Sequence, residues 1–302
     1  MTKKTVIKIV LPLILVVFGI FFVISKQTEP ETVKVAISEP VKRVVSATDT
    51  HNSCDGTDIT CGIPALEETK ESQDPENIDT YLHKMGITLK VQSKATITTF
   101  PRSSDDCKKL VYRALNSMPD GHANALNTLI LDFPGQGSRG LGGGSTLIIR
   151  CDKMSDQEFI AVFVHEMGHI VDGNFLIGSS SSGNSAYNDL GKSVPNNDLS
   201  TEFYNLSWGN NTEWRPETLL YSFCSNYGAT DPYEDFAECY NYYLLHGDEF
   251  RKSAEKNEIL AKKYEFMRDK IFDGKEYSFD SASSTDADKM PEDTTQLSYN
   301  YD

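Results

Sequence analysis

The sequence predicts an α+β domain, a small mixed sheet packed on one buried helix and followed by a helical C-terminal half. Three observations carry this. Between 87 and 150, short runs of aliphatic and β-branched residues are separated by glycine-rich or polar turns, as strands are. From 155 onward, apolar residues recur at helical spacing. Polar, apolar-poor segments flank this region on both sides.

The first element is an apolar run over 9–24, with Lys3, Lys4 and Lys8 ahead of it. Positive charge there orients the run with its N-terminus in the cytoplasm. Its length falls between a signal-peptide core and the roughly 20 residues of a spanning helix. No small-x-small cleavage pattern follows. Residues 1–25 therefore read as a signal anchor, with a cleaved signal peptide as the alternative. Either places the rest of the chain at the extracellular face of the cell membrane, or free outside the cell. Membrane contact through this segment is the expected membrane interaction.

Residues 26–74 carry Pro30, Pro40 and Pro64 among many Thr, Ser and Glu, and read as a disordered linker. Residues 275–302, rich in Ser, Asp and Thr, read as a disordered acidic tail. The folded core is expected over 75–274. A net charge of −15 repels phosphate backbones, so nucleic acid is not an expected partner. Export permits disulfides among Cys54, Cys61, Cys107, Cys151, Cys224 and Cys239. The easiest pair to propose is Cys54 with Cys61, which are close in sequence; the others cannot be paired from sequence.

Within the core, 87–91 reads as a strand. A helix follows over 105–117, with Ser104 as its N-cap. Residues 127–133 and 145–150 read as strands around a glycine-rich turn over 135–144. No lysine follows these glycines and no helix opens there, which excludes a nucleotide-binding loop. The best-marked helix begins after Ser155, whose spacing to Glu158 is that of a capping box, and closes at Gly173. Phe159, Ile160, Val162, Phe163, Val164 and Met167 make it apolar nearly all round, so it is buried. A long polar loop follows to about 223, and its 178–211 stretch is a candidate lid. Helices are expected over 233–246 and 248–272.

The chemistry lies in His165-Glu166-Met167-Gly168-His169. Histidines at i and i+4 share one face of a helix and can reach one Zn²⁺. Glu166 stands beside them, where it can take a proton from a metal-bound water as general base. A catalytic zinc needs a third protein ligand and an open position. The position six after His169 is Phe175, which excludes the class with a third histidine there. Glu234 and Glu238, spaced i and i+4 on the later helix, share one face, and either is a candidate ligand. Asp172 and Asp231 are further candidates.

His165-Glu166-x-x-His169, then Tyr227, then Glu234-Asp235-Phe236-Ala237-Glu238 resembles the anthrax lethal factor and Pro-Pro endopeptidase family, zinc metallopeptidases of gluzincin type. The comparison spans about 81–272, and only these two short motifs are specific. The resemblance implies a zincin-like metallopeptidase fold and one catalytic zinc held by His165, His169 and Glu234. It implies that Glu238 supports a ligand histidine and that Tyr227 donates to the oxyanion. It also implies a substrate-pairing strand beside the helix, here Gly144 to Arg150, with Gly144, Ser145 and Thr146 as substrate-binding residues. The chain departs from the family in the long stretch between the motifs. The expected function is a zinc-dependent endopeptidase acting on an extracellular or host protein. The alternatives are a zinc-stabilised, catalytically inactive toxin-like binding domain, and a deformylase-like hydrolase. Export and the lack of a matching Gly-Cys motif argue against the last.

Overall fold

The computed structural model describes residues 77–93, 102–133, 137–151, 154–277 and 290–299. Helix α1 (Ile78–Lys84) is capped by the Asn77 side chain and leads into strand β1 (Thr88–Ser93). Helix α2 (Ser104–Asn116) follows; its cap is Ser103 and not Ser104, because Ser103 exchanges hydrogen bonds with Asp106 in a reciprocal capping box. A short helix α3 (Asp120–Ala123) precedes strand β2 (Thr128–Phe133).

The glycine-rich stretch expected to be only a turn contains strand β3 (Gly140–Gly143), which folds back on strand β4 (Thr146–Arg150). The sheet order is β1-β2-β4-β3. The first three strands are parallel and β3 is antiparallel to β4, so the sheet is small and mixed. Alternating residues Leu129, Leu131, Leu147 and Ile149 are fully buried on one face.

Helix α4 (Asp156–Phe175) packs on that sheet and on α2. Ser155 caps it by accepting from the Glu158 amide at 3.1 Å. The return half of the expected box is absent, since Glu158 instead accepts from Arg139 at 2.8 Å.

The stretch read as an irregular polar loop is anchored by aromatic side chains. A hairpin of β5 (Asn184–Asp189) and β6 (Lys192–Pro195) and helix α5 (Ser200–Tyr204) place Tyr187, Phe203, Tyr204 and Trp208 in the core. Tyr187 Oη donates to the Trp208 carbonyl at 2.8 Å.

Helix α6 (Pro232–Leu245) lies against α4. The single helix expected over 248–272 is two, α7 (Gly247–Ala254) and α8 (Glu258–Phe266), followed by a wide turn at Met267–Ile271. The break falls at Asn257, whose side chain accepts from the Leu260 amide and starts a new helix. Overall the described residues form an α+β fold.

Several expectations are corrected. The tail is not wholly solvated: 290–299 returns to the core, with Thr294 and Tyr299 fully buried. Cys224 is bonded to Cys239, while Cys107 and Cys151 are buried in the core. Cys54 and Cys61 lie outside the described residues, as do the expected linker over 26–74 and the anchor over 1–25. Among the described residues no helix is long and apolar enough to cross a membrane. The expectations of a transmembrane signal anchor and of membrane contact thus have no structural support and are set aside.

Candidate metal centre

The two expected motifs meet where α4 crosses α6. Gly168 sits at the crossing, where a Cβ would stand 2.9 Å from the Ala237 Cα, closer than such atoms approach. Glycine opposite alanine lets the helices come together, and this brings the face of Glu234 and Glu238 to His165 and His169. The start of α6 is fixed by Pro232 in its first turn and by Asp231, which accepts from the Tyr233 and Glu234 amides at 2.9 Å each.

The Nε2 atoms of His165 and His169 lie 3.2 and 3.4 Å from Glu234 Oε2. These three residues are the only group among the described ones whose ligand atoms could surround one metal ion, all within 4.8 Å of one another. Behind them, His165 Nδ1 lies 2.8 Å from Glu238 Oε1, and Glu238 is fully buried. The two atoms are not aligned as a hydrogen bond, but a carboxylate so near draws the ring proton to Nδ1 and leaves a lone pair on Nε2. That lone pair faces Glu234 Oε2, a buried oxygen without a hydrogen-bond partner. Acceptors facing acceptors in a dry site repel unless a cation lies between them. The donor set, two imidazoles and one carboxylate, suits Zn²⁺.

A proton can also play the part of that cation, and the electrostatics favour positive charge here. Burial opposes ionisation of Glu234, yet His165 and His169 outweigh it and hold the carboxyl well below its usual range. Burial likewise opposes a charge on His165, but Glu234 and Glu238 raise its pKa well above the usual value. The pocket thus attracts positive charge.

Glu166 occupies the next position on α4 and is 8% exposed. Burial raises its pKa, opposed by the two histidines and by a hydrogen bond from the Gly142 amide. Strand β3 runs so close that a Cβ on Gly140 would collide with Glu166 Oε1, and one on Gly142 with the Glu166 carbonyl oxygen. These glycines are needed for close approach, and their i, i+2 spacing is the signal that marks it in sequence.

Tyr227 stands beside the group, half exposed, with its ring centroid 6.0 Å from that of His165. Its hydroxyl donates to Glu234 Oε1 at 2.9 Å. Burial raises its pKa, and the Glu234 charge raises it further. The Cys224–Cys239 bond ties this segment to α6.

The expected substrate-pairing residues are placed differently. Gly144 and Ser145 form the turn between β3 and β4, and Thr146 begins β4, which is paired on both sides. The edge of the sheet next to α4 is β3, the opposite edge being β1. Asp231 is used as a helix cap. Asp172 is buried and accepts from the Tyr204 hydroxyl, and burial pushes its carboxyl up to about 7. Sequence reasoning did not find Gly140, Gly142, Arg139 or Thr294. For Thr294 no sequence signal exists, since nothing local marks a backbone amide as a partner for a distant glutamate.

No family model matches the chain, and no curated protein matches it.

Proposed function

We propose that this chain is a zinc-dependent endopeptidase with a zincin-like catalytic domain of the lethal factor and Pro-Pro endopeptidase type. One observation carries the reading. Glu234 Oε2, buried and without a hydrogen-bond partner, faces the Nε2 atoms of two histidines whose helix also presents Glu166. Holding a metal requires the first three residues; Glu166 is surplus to that need and is what hydrolysis adds.

In this reading His165, His169 and Glu234 hold one zinc. Bound zinc supplies Lewis acidity, which acidifies a water and polarises a carbonyl. Glu166 accepts the proton as the water attacks the scissile carbonyl, then passes it to the leaving amine. Glu166 is buried on the same helix as both histidines, next to His165. The Gly142 amide keeps its carboxylate turned to the site. Glu238 holds His165 in the tautomer that ligation needs. Tyr227, released from Glu234, donates to the oxyanion. The substrate is a protein or peptide, extracellular or from a host. The Cys224–Cys239 bond supports an oxidising compartment and hence a secreted protein or one on the outer cell face.

A second reading is a zinc-stabilised, inactive toxin-like binding domain. It is favoured by the Tyr227 hydroxyl, which is engaged with Glu234 and not free.

The test incubates the zinc-loaded full chain with a diverse peptide library, reads cleavage by mass spectrometry, and uses Glu166→Ala as control. Cleavage by the wild type alone supports the peptidase. Equal cleavage by both sinks the role given to Glu166; no cleavage by a chain carrying one zinc favours the second reading or a very narrow substrate requirement.

A further inference from the structure

Residues 290–299 touch the centre's surroundings at three separate points. The Thr294 amide donates to Glu238 Oε2 at 2.7 Å, so the carboxylate that backs His165 is itself held by a residue 56 positions later. The Glu292 carbonyl accepts from the Tyr227 amide at 2.9 Å, and the Pro291 carbonyl from the Asn226 amide at 2.9 Å. Asp293 pairs with Arg139, which directly precedes the glycine strand lying against Glu166. Further along, Tyr299 Oη donates to the Gln157 carbonyl at 2.8 Å and closes the segment onto the start of α4. Thr294, Thr295 and Tyr299 are buried, so the segment is part of the packed core.

We propose that residues 290–299 form a positioning clasp of the metal centre, in which the Thr294 amide sets Glu238 and thereby His165. This rests on the zinc-binding reading above. Glu238 carries two oxygens with two tasks: Oε1 faces His165 Nδ1 and Oε2 accepts from Thr294. Inside the protein a carboxylate lacking one of its donors is free to turn, and its turning frees the imidazole to rotate. The Glu292 contact fixes the backbone of Tyr227, and the Asp293 contact fixes the approach of β3. Thr294 is thus a positioning residue that acts through Glu238.

The geometry supplies a variant that breaks this contact. Thr294 opens a single helical turn, the position where proline is best tolerated. Asp293 before it is already extended, at φ −154° and ψ 124°, as a residue preceding proline must be. Thr294→Pro therefore removes the amide hydrogen and sets a ring carbon in its place, so that Glu238 Oε2 must move away. Thr294→Ala removes the side chain and keeps the amide. The measurement is zinc affinity of the full chain by competition with a chelator, with circular dichroism to verify folding. Thr294→Pro is expected to bind zinc about 10–100-fold more weakly, the usual effect of losing a group that orients a ligand, and Thr294→Ala to stay within a few-fold of wild type. Equal affinity in a folded Thr294→Pro overturns the clasp.

A second measurement needs no variant. Coupling is reciprocal, so zinc must slow hydrogen exchange at the Thr294 amide more than at amides of β1 on the far side of the sheet. Equal slowing at both overturns the proposal even where Thr294→Pro fails to fold. Failure of the underlying reading looks different: the wild type binds no stoichiometric zinc, or His169→Ala binds it equally well.

Discussion

The two walls of the candidate metal centre are built by different means. Helix α4, which carries His165, Glu166 and His169, is positioned by shape. Phe159, Ile160, Phe163, Val164, Met167 and Ile170 are essentially inaccessible to solvent and pack on the sheet, α2 and α6. Helix α6, which carries Glu234 and Glu238, also buries Phe236, Tyr240, Leu244 and Leu245, but polar partners hold it in addition. Asp231 caps it, Cys239 bonds to Cys224, and Asp235 is fully buried between Lys263, at 2.7 and 2.8 Å, and Trp208 Nε1, at 3.0 Å. Lys263 also lies over the Phe223 ring, 4.3 Å from its centroid. Apolar packing tolerates small errors and is gained residue by residue. A buried polar network is satisfied or costly, with little between. The histidine wall is therefore expected to yield gradually to substitution, and the glutamate wall abruptly.

The largest effects sharpen this at the centre itself. His169→Ala is expected to lose zinc, read by elemental analysis of the dialysed chain. Glu166→Ala is expected to keep zinc and lose about 10²–10⁴ in kcat/KM against a cleaved peptide. Zinc retained by His169→Ala would break the ligand assignment.

Next comes the polar wall. Lys263→Met leaves Asp235 as an uncompensated buried charge and is expected to cost about 3–5 kcal/mol in denaturant unfolding. Adding Asp235→Leu is expected to recover most of it. A single variant costing less than about 1 kcal/mol would mean that the network does not hold α6.

Asp172 is the exception on the apolar wall. Burial pushes its carboxyl up to about 7, far above the unfolded value near 3.9. Its contribution is thus present in full below about pH 4 and is lost as pH rises toward 7. Asp172→Asn is expected to stabilise the zinc-free chain at pH 8 by up to about 4 kcal/mol, an upper bound from three pH units, with the advantage gone at pH 4. A pH-independent difference between the two melting temperatures would count against this.

The smallest effects separate neighbouring glycines. Gly140→Ala places a methyl against Glu166, whereas at Gly143 nothing stands within 4 Å of the added carbon. Gly140→Ala is expected to reduce kcat about tenfold or more, equivalent to about 1.4 kcal/mol, with Gly143→Ala near wild type. Equal kinetics would mean that β3 does not set Glu166.

What was legible in the sequence follows the same division. The runs Thr128–Phe133 and Thr146–Arg150 and the helix after Ser155 were readable because packing leaves a periodic trace. The pairing of histidines with Glu234 was readable as spacing plus a resemblance. Strand β3 was not, because Gly140, Gly142 and Gly143 have neither β propensity nor alternation. The break at Asn257 lay inside an apolar pattern that continued past it. The 290–299 segment looked like tail because its composition is polar, and its burial depends on partners at 139, 157, 227 and 238. Propensity is local, whereas these partners are distant in sequence.

The bond from Thr294 to Glu238 also has a consequence in time. A chain is made from its N-terminus at about 5–20 residues per second, and its early parts begin to fold while later ones are still being added. The histidines, Glu166 and both glutamates all emerge before residue 294. Until that residue arrives, Glu238 lacks the donor for its second oxygen. The candidate centre therefore completes itself late, once residues 290–299 have joined it, and it stays unfinished while the chain that carries it is still being made.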